Sequence, residues 1–283
     1  MNSKDLQKDI EHVLETGEGW SDEIAKWVSN DARWSLNSQI GPEERRKTLR
    51  LSNVGSPCDR KIWYEVASDL EPEPLKYYEK NKFIFGNLIE SYVIGLVMAS
   101  GHKVEGLQDQ LSILGVKGHR DLVIDGVTFD VKSCSTFAFN KYKNGGLLKD
   151  DRFGYLSQLS SYVYAARNDP IVTDKAKGGF IFFDKQFGKI NVEIYDLSDW
   201  IKEKEDEVQH RIDVVKGDIP PRGFEDVPQY DKSPNRKLCP QCSYCGFKKH
   251  CWPELRTFIY NGGPQYLTKV VKEPKVWEVK DGI

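Results

Sequence analysis

The sequence has no run of roughly 18 apolar residues, so no segment reads as a membrane span. Its first residues, Met-Asn-Ser-Lys-Asp, lack the apolar stretch of a secretory signal, and a cytoplasmic protein with no membrane partner is the expectation. Lys and Arg number 41 against 43 Asp and Glu, a net charge of −2 that excludes a global basic signature for nucleic acid but not local patches. Internal repeats and low-complexity tracts are absent, which excludes solenoids and propellers. Structural disulfides are not expected in this compartment, so the six cysteines point to metal or redox use.

Helical apolar spacing is present over 5–14 and 22–34, around Gly17-Glu18-Gly19. A further helix is expected over 75–98, with Gly86 as a point where it could break. Short strand-like runs follow at 102–107, 110–116, 119–125 and 127–133. A helix over 150–167, with acids in its first turn and Pro170 beyond its end, precedes strands at 179–183 and 190–195. A charged amphipathic helix over 197–215 leads to a tail rich in Pro, Gly and Cys. This order gives an α/β protein in three parts: an N-terminal helical region (1–70), a central core (71–216) and a cysteine-rich region (217–283).

The most informative stretch is Gly118-His119-Arg120-Asp121 through Asp130-Val131-Lys132. Asp125-Gly126 between apolar pairs is a strong signal for a two-residue type I′ turn. That turn pairs Ile124 with Val127, so Asp121 is expected opposite Asp130 and His119 opposite Lys132. Alternation puts Asp130 and Lys132 on one strand face, away from Phe129 and Val131. Two acids and a lysine converging in this way suggest a site for a hard cation.

Other residues can join that site. Glu90 has Gly86, Val93, Ile94 and Val97 as its helical neighbours, so it is one acid on an apolar face and needs a partner or a cation. Gln158 and Tyr162, one helical turn apart, can reach a phosphate or stack on a base. Arg45, Arg46, Lys47 and Arg50 form one basic cluster; Lys232, Arg236, Lys237, Lys248, Lys249 and His250, interleaved with Tyr244 and Phe247, form another. Cys239, Cys242, Cys245 and Cys251 have the spacing of a local zinc site, with His250 as a competing ligand. Cys58 is an alternative fourth ligand, and Cys134 reads as a small buried residue.

Taken in order, these pieces resemble the PD-(D/E)xK nuclease superfamily, and most closely its RecB-type exonuclease branch with an iron–sulfur cluster, which includes CRISPR-associated and helicase-linked exonucleases. The resemblance rests on Cys58-Asp-Arg60-Lys-Ile-Trp-Tyr64, Gly86-Asn87-Leu-Ile-Glu90, Gly118-His-Arg-Asp121, Asp130-Val131-Lys132, Gln158 to Tyr162, and Cys242, Cys245 and Cys251. It implies a restriction-endonuclease-like core, a mixed central sheet flanked by helices, with a cluster appendage built from N- and C-terminal segments. It further implies a Mg²⁺- or Mn²⁺-dependent deoxyribonuclease acting on single-stranded DNA or DNA ends. Glu90, Asp121, Asp130 and the Val131 carbonyl would be its metal ligands, Lys132 its catalytic lysine, and Gln158 and Tyr162 its substrate contacts. A [4Fe–4S] cluster on Cys58, Cys242, Cys245 and Cys251 follows from the same resemblance, with Zn²⁺ as the alternative. So do a bacterial or phage-infected cell and a helicase, recombination or integration partner. Glutamate at position 90, where many relatives carry histidine, and the extra Cys239 depart from the pattern.

Overall fold

Leu6, Ile10 and Val13 recur every three to four residues and are buried, which fixes the inward face of the first helix. The Asn2 side chain accepts from the Lys4 N–H at its start, and left-handed Gly17 (φ 76°) ends it. The computed structural model describes residues 2–40, 45 and 47–279. Of the residues singled out above, Arg46 lies outside them.

The chain runs α1 (Ser3–Thr16), α2 (Asp22–Ile40), α3 (Leu51–Val54), α4 (Asp59–Val66) and α5 (Tyr77–Ala99). Five strands follow: β1 (Val104–Glu105), β2 (Gln110–Ile113), β3 (Val116–His119), β4 (Leu122–Ile124) and β5 (Val127–Cys134). Then come α6 (Thr136–Tyr142), α7 (Tyr155–Ala165), β6 (Lys177–Asp184), β7 (Ile190–Asp196), α8 (Ser198–Lys202) and α9 (Lys204–Lys216). The remainder holds β8 (Val227–Pro228), β9 (Arg236–Lys237), α10 (Pro240–Ser243), α11 (Lys248–Cys251), β10 (Arg256–Tyr260), β11 (Gly263–Lys269) and β12 (Glu278–Val279). Two compact units result, Met1–Gly55 with Lys76–His210, and Ser56–Leu75 with Arg211–Ile283.

The first unit is mixed α/β, with a central sheet in the order β1-β4-β5-β6-β7. β5 and β6 are parallel and the other pairs antiparallel. Phe129 and Val131 of β5 pack into one core with Leu6 and Ile10 of α1 and Val93, Ile94 and Val97 of α5. Full burial of each such side chain is worth about 1.5–3 kcal/mol. Phe180 and Phe182 of β6 pack with Leu156, Leu159 and Val163 of α7 in a second core. Among the described residues α5 is a helix long and apolar enough to cross a membrane, but here its C-terminal half is a core element of this unit. It runs unbroken through Gly86.

Sequence and structure part at several places in this unit. β3 does not continue into β4; it pairs with β2, with His119 opposite Gln110 rather than Lys132. The stretch 197–215 is two helices, α8 and α9, with Glu203 between them. The helix expected over 150–167 begins at Tyr155, because left-handed Gly154 (φ 75°) precedes it and the Asp151 carboxylate takes the N–H groups of Tyr155 and Leu156 at 2.9 and 2.8 Å. A Cβ on Gly154 would lie 1.8 Å from the Gly55 carbonyl oxygen, so only glycine fits there.

The second unit contains a five-stranded antiparallel sheet, β12-β10-β11-β9-β8, in the tail where the sequence suggested no strands. Residues 56–75 are held to 211–283 by several contacts. Tyr64 stacks on Phe247 at 5.2 Å, Trp63 Nε1 donates to Gly217 O at 2.9 Å, and Arg60 Nε donates to Pro220 O at 2.6 Å. Arg211 pairs with Asp59 and donates to Ser56 O.

Candidate active site

The Asp125-Gly126 turn has φ of 47° and 82°, both left-handed, and sets the expected register: Ile124 opposite Val127 and Leu122 opposite Phe129. The ladder ends at Leu122. Asp121 therefore does not sit across from Asp130 as a strand partner; its Oδ2 accepts the Val131 N–H at 2.8 Å. The edge of β5 thus holds Asp121 by its own backbone. Gly118, three residues earlier, lies where a Cβ would be 2.7 Å from Leu51 Cβ and 3.1 Å from the Tyr162 ring. Glycine there lets β3 close on α3 and α7. At Gly86 a Cβ would meet Ser133 Oγ at an ordinary 3.5 Å, so no close approach requires glycine there.

Asp130 and Lys132 share a face of β5, as alternation demands, and Lys132 Nζ lies 2.6 Å from Asp130 Oδ2. Asp130 is 1% exposed, so its Oδ2 and the Lys132 ammonium form an almost fully buried ion pair. The Lys132 ammonium also stands 5.4 Å from the Tyr155 ring centroid. Burial works against its charge, but Asp130 and Asp121 outweigh burial and lift it above the usual lysine range. Lys132 is therefore a cation at neutral pH.

Glu90 enters from α5 and is half-buried, its Oε1 accepting from Gln108 Nε2 at 2.8 Å. Burial first, and then the charge of Asp130, push its carboxyl from 4.5 up to about 7. Asp121 is raised well above the ordinary carboxylate value by burial, by Asp130 and by Glu90. Asp31 of α2, which sequence reasoning missed, adds to the field on Glu90 while its Oδ2 accepts from Ser91 Oγ at 2.5 Å. Nothing in the local pattern of 22–34 distinguishes this acid from a solvated one.

These shifts have a measurable consequence in metal-free protein. A carboxyl raised in the folded state binds its proton more tightly there than in the unfolded chain. Stability is then fully present below about pH 4.5 and is lost as the pH rises through about 7. A rise from 4.5 to about 7 corresponds to about 3 kcal/mol. The metal-free thermal midpoint should fall across this window, and Glu90→Gln should flatten the fall. A Glu90→Gln profile superimposable on wild type would contradict the geometry.

Gln158 Nε2 donates to Tyr162 OH at 3.3 Å, confirming that the two share a helix face. Tyr162 is only 2% exposed, so its ring is not free to stack on a base. Burial and then Asp130 push its phenol above the usual tyrosine range. Val131 buries its side chain in the core.

In the second unit, burial, then Cys239, Cys58 and Cys245, push the Cys242 thiol above its ordinary value. Cys58 is thus a neighbour of Cys242 and Cys245 in the structure, and Cys239 is a neighbour of Cys242. Cys251 Sγ receives a weak 3.8 Å contact from Arg60 Nη1. Cys134 is buried, as expected, and burial pushes its thiol up to about 12. The second basic cluster is largely engaged within this unit: Arg236 pairs with Asp226, Lys248 with Glu73, and His250 Nε2 contacts Glu71 O at 2.9 Å.

Among the described residues, no three His, Cys, Asp or Glu side chains are grouped so as to hold one ion as they are placed. The carboxylates of Glu90, Asp121 and Asp130 are each engaged by a protein donor, Gln108, the Val131 N–H and Lys132 respectively. The near-complete burial of Asp130 with two further acids beside it is the feature that fits a hard cation.

The chain matches no protein-family model and no curated protein. A solved structure, described as the crystal structure of SSO0001, is similar at 13% identity with a TM-score of 0.38, covering 79% of this chain and 95% of that one. Similarity at that level assigns neither fold family nor activity.

Proposed function

We propose that the first unit is a metal-dependent deoxyribonuclease with a PD-(D/E)xK core, acting on single-stranded DNA or DNA ends. The observation that carries this reading is the convergence of Glu90, Asp121 and Lys132 on Asp130, an almost fully buried carboxylate. Glu90, Asp121, Asp130 and the Val131 carbonyl would hold Mg²⁺ or Mn²⁺, hard cations that take oxygen ligands. Such an ion, when bound, supplies Lewis acidity toward a phosphate and lowers the pKa of a coordinated water. Lys132, held charged by its acidic neighbours, serves as a fixed cation for charge growing on the phosphate rather than as a proton acceptor. Gln158, half-buried, would reach the DNA backbone, while the enclosed Tyr162 orients Gln158 and lines the site beside Asp130.

Cys58, Cys242, Cys245 and Cys251 would hold a [4Fe–4S] cluster that acts as a structural clip within the second unit. One observation favours a second reading. Cys239 is a neighbour of Cys242, which suits a zinc site in a catalytically inactive DNA-binding module. A brown protein supports the cluster and a colourless one the zinc site. Helicase, recombination or integration proteins are the partners this activity would serve.

The test is release of labelled nucleotides from linear single-stranded DNA with Mn²⁺ or Mg²⁺, comparing wild type with Lys132→Ala. Release that stops on chelation and is lost in the variant supports the nuclease. Equal release by both proteins sinks the site assignment, and no release by either favours the binding module.

A further inference from the structure

The turn 106–109 is tied down by side-chain and backbone bonds. Beneath it lies Arg120, fully buried, with Nη2 2.7 Å from Asp109 Oδ2 and 2.7 Å from Asp169 Oδ2. Its Nε donates to the Gly106 carbonyl at 3.1 Å. Gly106 is left-handed (φ 59°), and a Cβ there would lie 2.3 Å from Nη2, so the turn can close over the guanidinium only with glycine at that position. Backbone bonds complete the tie: Arg120 N donates to Asp109 O at 3.2 Å and Gln108 N to Asp121 O at 3.1 Å.

Gln108 itself is left-handed (φ 54°), an uncommon state for a residue other than glycine, asparagine or aspartate. Strain of this kind persists only where the surroundings impose it. Its consequence here is that one residue reaches two of the acids. The Gln108 backbone N–H holds the Asp121 carbonyl, and its side-chain Nε2 donates to Glu90 Oε1 at 2.8 Å. An amide is neutral, so it orients the Glu90 carboxylate without cancelling its charge, as a lysine would.

We infer that the turn 106–109, clamped by the buried Arg120, is a positioning device in which Gln108 presents Glu90 and Asp121 together as a pair of cation ligands. The inference rests on the reading of these carboxylates as ligands of a divalent cation. Gln108 and Arg120 are positioning residues that act through Glu90 and Asp121. Outer-shell partners of this kind typically change metal affinity by about 10–100-fold when removed.

The test is Mn²⁺ affinity, followed by electron paramagnetic resonance on the full chain, for wild type, Gln108→Ala, Gln108→Asn and Asp130→Asn. Gln108 is exposed, so its replacement should leave the metal-free thermal midpoint in place. Asparagine tolerates the left-handed backbone but is one methylene too short to keep the bond to Glu90. Both Gln108 variants should therefore bind Mn²⁺ about 10–100-fold more weakly, with the nucleolytic rate recovering at saturating Mn²⁺. Affinity within twofold of wild type in either Gln108 variant, while Asp130→Asn has lost binding, overturns the positioning role alone. If wild type binds no Mn²⁺, or Asp130→Asn binds it unchanged, the cation site fails and this inference with it.

Discussion

Lys132→Ala is expected to lower metal-dependent nucleotide release by about 10²–10³-fold at saturating Mn²⁺, the usual effect of removing one preorganised group from a site of developing charge. Lys132 is well suited to that role. Its ammonium lies 2.6 Å from a carboxylate oxygen of an almost fully buried aspartate and is kept protonated by two acids. The variant keeps Glu90, Asp121 and Asp130, so Mn²⁺ binding should survive while the chemical step slows. Single-turnover rates separate the two. A fall of less than tenfold with the metal bound would mean that the charge is stabilised by some other group.

Arg120→Met is expected to destabilise the first unit by about 3 kcal/mol, the lower end of what breaking a buried ion pair costs, because its partners are not themselves fully buried. The guanidinium is completely enclosed, whereas the Asp109 side chain is 52% exposed and that of Asp169 23% exposed. Methionine fills part of the volume but leaves two neighbouring acids and the Gly106 carbonyl without their donor. For a unit of this size the thermal midpoint should drop by roughly 6–12 °C. Asp109→Asn, at the exposed end of the same network, should cost less than about 1 kcal/mol. An Arg120→Met midpoint within 2 °C of wild type would show that the network does not brace the turn.

How far the site could be read from the sequence depends on the range of the interactions that make it. The β4–β5 hairpin register was legible because Asp125-Gly126 admits one tight turn, and strand alternation then brings Asp130 and Lys132 to one face. The end of that ladder was not legible. Arg120 leaves the strand path to meet Asp169, 49 positions away, and no local signal announces a partner at that distance. Asp121 accordingly binds the Val131 N–H instead of facing Asp130. Helix α5 ignores Gly86 because its C-terminal half is packed against β5 and α1, and tertiary burial overrides a single glycine. The break between α8 and α9 accompanies Lys204, a fully buried lysine whose Nζ bonds Ser157 on α7, again a long-range contact. The tail sheet was hidden for another reason: β8, β9 and β12 are two residues long, too short to show a period. Gln108 and Asp31 carry no motif at all, and only the fold brings them to Glu90.

Metal-dependent chemistry at this face requires Glu90, Asp121 and Asp130 to form one cation site. The measurement that tests this most directly is a Mn²⁺ titration of the wild-type protein beside Asp130→Asn, with free Mn²⁺ read by electron paramagnetic resonance. One or two bound ions are expected in wild type, displaced by Mg²⁺, with loss of that binding in Asp130→Asn. Equal binding by both proteins, or none by either, would contradict this.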